Sequence, residues 1–222
     1  MEIISPLQKE ILRLFTDISD NQYFYLTGGT ALSYFYLRHR RSDDLDFFTP
    51  TEELISPFSF RMEGTLKKKG ILIKRQRGLH SFVELLAEQN NKKTIVHLAC
   101  DCPCRLETIN EFPEFPGLKV DSLMDIAANK LLALFGRAAL RDFVDVYFLI
   151  KRKVITADDL IKKAKSKDAG LDLYWLGVAF ERINTFDKSS TDMLLLTEPL
   201  DFKSLLDFYD DWRKEITQKL KE

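Results

Sequence analysis

Residues 26–32 read Leu26-Thr27-Gly28-Gly29-Thr30-Ala31-Leu32, and residues 39–48 read His39-Arg40-Arg41-Ser42-Asp43-Asp44-Leu45-Asp46-Phe47-Phe48. The first stretch follows the aromatic run Tyr23-Phe24-Tyr25-Leu26, which has strand composition. The glycine pair then marks a turn, and Ala31, Leu32, Phe35 and Tyr36 resume a helical period over residues 30–37. A basic loop at residues 38–42 leads into a second strand that Thr49-Pro50 stops. The expected order is therefore strand, glycine turn, helix, strand, in a βαβ-like opening.

Working outward, Leu7, Ile11, Leu12, Phe15 and Ile18 predict an amphipathic helix over residues 5–19. Residues 51–69 read as a helix interrupted at Pro57, ending at Gly70 behind Lys67-Lys68-Lys69. Three further strands are expected at 71–75, 81–86 and 93–100, which suggests a small mixed sheet. Residues 111–117 carry Pro113, Pro116 and Gly117 and read as a linker. Beyond it the pattern turns helical. Asp121 or Ser122 caps a helix bearing Leu123, Ile126, Leu131 and Leu134. Further helices are expected near 141–150, after Thr156, and at about 173–184 and 203–220. The fold class is α+β, a mixed sheet with helices over residues 1–117 followed by an all-helical domain over 118–222.

Composition narrows the function classes. The chain has 222 residues, 45% hydrophobic and 30% charged, which suits a globular protein with a real core. Its 33 basic and 34 acidic residues leave a net charge of −1 and exclude a bulk electrostatic grip on nucleic acid. No apolar run approaches the roughly 20 residues of a membrane helix, and Glu2, Lys9 and Glu10 interrupt any signal-like stretch. Three cysteines make no disulfide framework, so a reducing, cytoplasmic setting without membrane association is expected.

Two features carry chemistry. Gly28 and Gly29 sit between a strand and a helix, where backbone can approach a phosphate and the helix N-terminus favours an anion. Taken alone, the pair also reads as ordinary turn geometry, and it is neither a P-loop nor a dinucleotide fingerprint. Asp44 and Asp46 lie two apart on a strand and share a face. Their mutual repulsion calls for a cation such as Mg2+, or for an exposed strand end without any ligand. One helix and a return loop separate the two features. That brings a phosphate cradle beside a metal-binding strand, the pairing that nucleotidyl or phosphoryl transfer needs.

These stretches, with Asp125-Ile126-Ala127-Ala128-Asn129-Lys130-Leu131 and Arg141-Asp142-Phe143-Val144-Asp145-Val146-Tyr147, resemble the AbiEii-type nucleotidyltransferases of the polymerase-beta-like superfamily. Members act as toxins of bacterial toxin–antitoxin and abortive-infection systems. The resemblance spans about residues 23–150 and implies an N-terminal sheet of nucleotidyltransferase type. It implies that Gly28, Gly29 and Thr30 hold nucleotide phosphates with Arg40 and Ser42 as helpers, and that Asp44 and Asp46 bind Mg2+ or Mn2+. Lys130 would reach the triphosphate or base, and Asp142 or Asp145 would complete the site, as the base for the acceptor. Asp145 also reads as the helix ion-pair partner of Arg141. Many superfamily members carry a third carboxylate on a later central strand. Here His97 takes the mid-strand position, and Asp101 follows four residues on with the same parity. Either Asp101 is the third metal carboxylate, or two carboxylates serve with Asp142.

The expected activity is Mg2+-dependent transfer of NMP from an NTP to a hydroxyl, the acceptor being tRNA or another RNA, with an antitoxin as partner. The alternatives are a non-catalytic nucleotide- or partner-binding module, or transfer to a small molecule such as an aminoglycoside. Weaker signals remain. Cys100, Cys102 and Cys104 alternate too closely for a zinc site. Basic runs at 38–41, 67–69 and 74–77 would guide RNA or form solvated faces. The stripe Phe202, Leu205, Leu206, Phe208, Tyr209 and Trp212 reads as helix packing, any exposed part being a place for an antitoxin.

Overall fold

The computed structural model describes residues 2–101 and 104–221. Two compact units result, Met1–Leu123 and Met124–Glu222.

In the first unit, α1 (Pro6–Phe15) starts at a capping box: Ser5 accepts from the Gln8 amide and Gln8 returns a side-chain acceptor to Ser5. Strand β1 (Tyr25–Thr27) runs directly into α2 (Gly28–Ala31), which widens into a π-helical stretch over Leu32–Leu37. Then come β2 (Asp44–Thr49), α3 (Ile55–Lys68), β3 (Leu72–Gly78), β4 (Phe82–Gln89), β5 (Lys92–Cys100), β6 (Asn110–Glu111) and β7 (Lys119–Val120). The strands form one sheet in the order β3-β4-β5-β2-β1-β7-β6. It is mixed, with β2 parallel to β5 and β1 parallel to β7, the remaining pairs being antiparallel.

Three sequence expectations need correction. The opening is not a parallel βαβ unit. The connection returns the chain to the C-terminal end of β1, so β2 enters antiparallel with Thr27 opposite Asp46. Pro57 does not interrupt a helix. It lies in the first turn of α3, where a missing N–H forfeits no intrahelical bond, and a 3-10 turn at Glu52–Leu54 leads in. Residues 111–117 are not a linker. Glu111 pairs with β7, and the rings of Phe112 and Phe115 pack against Phe35 at 4.6 and 6.1 Å.

One sheet face is the core. Leu45 and Phe47 of β2, Val83 and Leu85 of β4, and Val96 and Leu98 of β5 are buried there. They meet α1 and α3, with Phe15 stacked on Phe47 at 3.9 Å and Phe24 on Phe58 at 4.2 Å. Burying each such side chain contributes about 1.5–3 kcal/mol. The alternation that sends these residues inward turns Asp44, Asp46, Glu84 and His97 to the opposite face. A tight hairpin joins β4 to β5 through Asn90 and Asn91, both left-handed at φ 51° and 59°, the conformation of a type I′ turn.

The second unit is helical, as expected. It holds α4 (Leu123–Arg137), α5 (Leu140–Lys151), α6 (Ala157–Lys167), α7 (Leu173–Glu181), a short α8 (Thr191–Leu194) and α9 (Phe202–Lys219). Side chains of Thr156, Asp172 and Asp201 cap α6, α7 and α9 by accepting from backbone amides. Leu205, Tyr209 and Trp212 of α9 are buried, and Tyr209 sits 4.9 Å from the Phe143 ring and 5.0 Å from the Phe180 ring. Most of the C-terminal aromatic stripe is therefore packing. Among the described residues no helix is long and apolar enough to cross a membrane.

Candidate active site

The strand-to-helix turn is built around two absent side chains. Gly28 is left-handed at φ 71°, and a Cβ there would stand 2.2 Å from Asp46 Oδ2. A Cβ on Gly29 would stand 2.6 Å from an Arg40 guanidinium nitrogen and 3.1 Å from Ser42 Oγ. The turn thus brings together Gly28, Gly29, Arg40, Ser42 and Asp46. Thr30 is buried, and its hydroxyl donates to the Asp44 carbonyl, tying the helix start to β2. Arg40 and Ser42 are buried as well, and Gln8 Nε2 donates to the Ser42 carbonyl at 2.8 Å. Backbone N–H groups at such a helix start, beside a guanidinium, make a place for an anion.

Across the sheet, register lines up a polar row. Thr27 faces Asp46, Asp46 faces His97, His97 faces Glu84, and Glu84 faces Arg77. His97 Nδ1 lies 2.8 Å from Asp46 Oδ1 and its Nε2 lies 3.3 Å from Glu84 Oε2. Burial works against a charged imidazole here. The hydrogen bond and charge of Asp46, with Asp44 and Glu84 adding, outweigh it and raise the His97 pKa above the ordinary value.

At the other end of the row, Asp121 is buried and accepts from the Thr27 hydroxyl at 2.7 Å, from the Ser122 amide at 2.9 Å and from the Arg105 guanidinium. The Tyr36 hydroxyl donates to the Asp121 carbonyl at 2.7 Å, anchoring the π-helical stretch to β7's end.

In the second unit, Lys130 Nζ lies 2.7 Å from Asp145 Oδ2 and 3.6 Å from Asp142 Oδ1, both carboxylates being wholly buried. Arg137 forks onto Asp142 at 2.8 and 3.0 Å. A second buried pair joins Lys167 to Asp125 at 2.8 Å. The sequence brings out Lys130, Asp142 and Asp145 as a group, and the helices gather them into one ion cluster.

A family described as the nucleotidyl transferase AbiEii toxin of type IV toxin–antitoxin systems matches residues 10–222. The chain belongs to the AbiEii family. It is an enzyme of nucleotidyltransferase type with toxin kinship. An uncharacterised protein of Aquifex aeolicus is 31% identical over 179 residues, 78% of this chain and 79% of that one. The crystal structure of a candidate nucleotidyltransferase from Helicobacter pylori superposes with a TM-score of 0.59 at 19% identity, covering 97% of this chain and 96% of that chain. The nucleotidyltransferase toxin MenT4 of Mycobacterium tuberculosis superposes at 0.56 and 17% identity, over 94% and 82%. Both structures share the fold seen here.

Within this AbiEii chain, Asp101 is placed apart from Asp44 and Asp46. It follows β5, accepts from the Tyr25 hydroxyl, and stands about 13 Å along the strand from the His97 position on a rise of about 3.3 Å per residue. Of the cysteine run, Cys102 and Pro103 lie outside the described residues, while Cys100 is exposed and Cys104 half-buried. Among the described residues no three His, Cys, Asp or Glu side chains gather as a metal cage. The β2 pair instead fits a hard ion shared with substrate, since Mg2+ takes one or two carboxylates and completes its shell with phosphate oxygens and water. Asp46 supplies Oδ2 over the glycine turn while Oδ1 is held by His97. Sequence reasoning missed Glu84 and Asp121 as members of the row. Glu84 was readable as the outward residue between Val83 and Leu85, whereas the reach of Thr27 to Asp121 had no local signal.

Proposed function

We propose that this chain is a Mg2+-dependent toxin nucleotidyltransferase that moves NMP from an NTP to a hydroxyl on RNA, with a cognate antitoxin restraining it. The observation that carries this reading is the apposition of the Asp46 carboxylate to the left-handed Gly28, with Asp44 on the same strand face. A divalent ion held by the pair would supply charge neutralisation for the α-phosphate and a lower pKa for the attacking hydroxyl. Gly28 and Gly29 offer backbone N–H groups to the phosphates, and Arg40 and Ser42 flank them. The acceptor hydroxyl gives up its proton to water, its oxygen bonds to the α-phosphorus, the α–β anhydride breaks, and pyrophosphate leaves.

Lys130 is assigned as a second cation for the reaction. Asp142 and Asp145, buried against its amine, are assigned to holding it rather than to taking the acceptor proton. Lys68 and Lys69, exposed just ahead of the sheet-edge strand β3, and Lys74, exposed on it, are the side chains proposed to meet RNA phosphates. Arg75 is already committed to Glu63 at 2.6 Å.

The test is incubation with labelled NTPs, Mg2+ and total RNA. Label transfer that an Asp44→Ala variant abolishes supports the reading, and transfer equal to that variant's refutes it. His97 at the position of a third carboxylate favours a second reading, a nucleotide-binding module without transfer. Calorimetry showing NTP binding independent of Mg2+ and no turnover would select it.

A further inference from the structure

We infer that His97 and Glu84 form a positioning pair that sets the orientation of the Asp46 carboxylate toward the glycine turn. The inference rests on Asp46 being a carboxylate of the nucleotide and metal site. Three adjacent strands place the three residues side by side, because β2 pairs with β5 at Asp46 and His97, and β5 pairs with β4 at His97 and Glu84. The imidazole is fixed from both ends and from its face. Nδ1 meets Asp46 Oδ1 at 2.8 Å, Nε2 meets Glu84 Oε2 at 3.3 Å, and the Phe82 ring lies 5.4 Å away, tilted by 32°. All three polar side chains are mostly withdrawn from water, at 24%, 20% and 19% exposure for Asp46, His97 and Glu84.

A half-buried aspartate with both oxygens solvated turns freely about its last torsion. Here one oxygen is tied to His97, so the other points over Gly28, where the backbone leaves room only because no Cβ is present. Turning the carboxylate would break the imidazole contact. Glu84 fixes which ring edge is offered, since a flipped ring would present a carbon to Asp46. The arrangement is the one that orients ligand groups in metal sites generally, where an outer partner sets the geometry of the inner carboxylate or imidazole.

The experiment compares His97→Asn, His97→Gln and Glu84→Gln with Asp46→Ala and the unaltered chain. An asparagine amide reaches near the place of Nδ1, and a glutamine amide reaches near that of Nε2. Mg2+ binding is followed by calorimetry with a non-hydrolysable NTP analogue, which needs no turnover, and kcat and KM are read by label transfer. His97→Gln is expected to raise the Mg2+ dissociation constant by about 10- to 100-fold and to lower kcat with KM for NTP little changed. His97→Asn is expected to stay within a few fold of the unaltered chain, and Glu84→Gln to fall between. Thermal unfolding of the two His97 variants checks the fold, since both remove the ring and lose packing alike. Equal loss in His97→Asn and His97→Gln, or no loss in either, overturns the pair. Unaltered Mg2+ binding in Asp46→Ala overturns the site reading and the pair with it. Loss in Asp46→Ala with His97→Gln unaffected overturns the pair alone.

Discussion

Gly28 and Asp46 are packed so closely that the carboxylate occupies the volume of the missing side chain, a Cβ on Gly28 falling 2.2 Å from Oδ2 and 3.0 Å from Cγ. Antiparallel pairing of β1 with β2 creates this contact, because Thr27 and Asp46 are register partners and the next residue after Thr27 turns back over the strand. One glycine therefore answers two demands, a left-handed φ and a neighbour in contact. The second demand links the glycine turn to the acidic strand.

Gly28→Ala should be the more damaging of the two glycine substitutions. A left-handed non-glycine residue costs about 1–2 kcal/mol, and the methyl must displace Asp46. A shift of that kind at a reacting centre costs on the order of 100-fold in rate. Gly29→Ala meets the far end of the Arg40 side chain, which can give way, so transfer should fall by no more than about tenfold. Label transfer and NTP binding by both variants check the ranking.

Gln8 couples the first helix to the site loop. Its Oε1 accepts from the Ser5 amide and its Nε2 donates to the buried Ser42 carbonyl. Gln8→Ala should cost about 2–4 kcal/mol, the sum of a lost cap and an unsatisfied buried carbonyl. Ser5→Ala, which leaves Ser42 held, should cost about 1 kcal/mol. Urea denaturation measures both. Weaker NTP binding is expected for Gln8→Ala alone.

The ion cluster of the second unit carries stability as well as charge. Lys130→Met would leave Asp142 and Asp145 buried with one cation removed, and breaking a buried pair in this way costs about 3–5 kcal/mol. Lys130→Met combined with Asp145→Asn should cost less than the two separate changes added together. A double-mutant cycle by denaturation gives the coupling, and additive losses would show that the two residues act independently.

Local pattern made much of this fold legible. Alternation around Leu45 and Phe47 turned Asp44 and Asp46 to one face, and Gly28 with Gly29 marked the turn that meets them. What stayed hidden was set by long-range pairing. Whether β2 returns parallel or antiparallel depends on where its loop delivers it. His97 became the neighbour of Asp46 only through the β2 and β5 register, and Asp121 reached Thr27 through a strand entering much later in the chain. Pro57 was misread because its effect depends on its place within α3, and first-turn positions tolerate it. Phe112 and Phe115 sat among prolines, and their burial against Phe35 has no short-range signature.

Alkaline pH should unfold the second unit through Tyr209. Burial, followed by the charges of Asp145 and Asp142, raises its pKa well above 10, and its hydroxyl donates to the Phe143 carbonyl at 2.7 Å. The folded state therefore keeps the phenol proton that the unfolded state releases near pH 10. That stability is complete below pH 10 and declines as pH rises beyond it, by up to about 1.4 kcal/mol per pH unit for one group. Of the three tyrosines of the second unit, Tyr147, Tyr174 and Tyr209, Tyr209 should yield its phenolate only together with loss of helicity, seen by parallel absorbance and circular dichroism titrations. Tyr209→Phe should lose about 1 kcal/mol at neutral pH with its hydrogen bond, yet show a shallower decline above pH 10. An identical slope in the variant would mean that another group governs the alkaline transition.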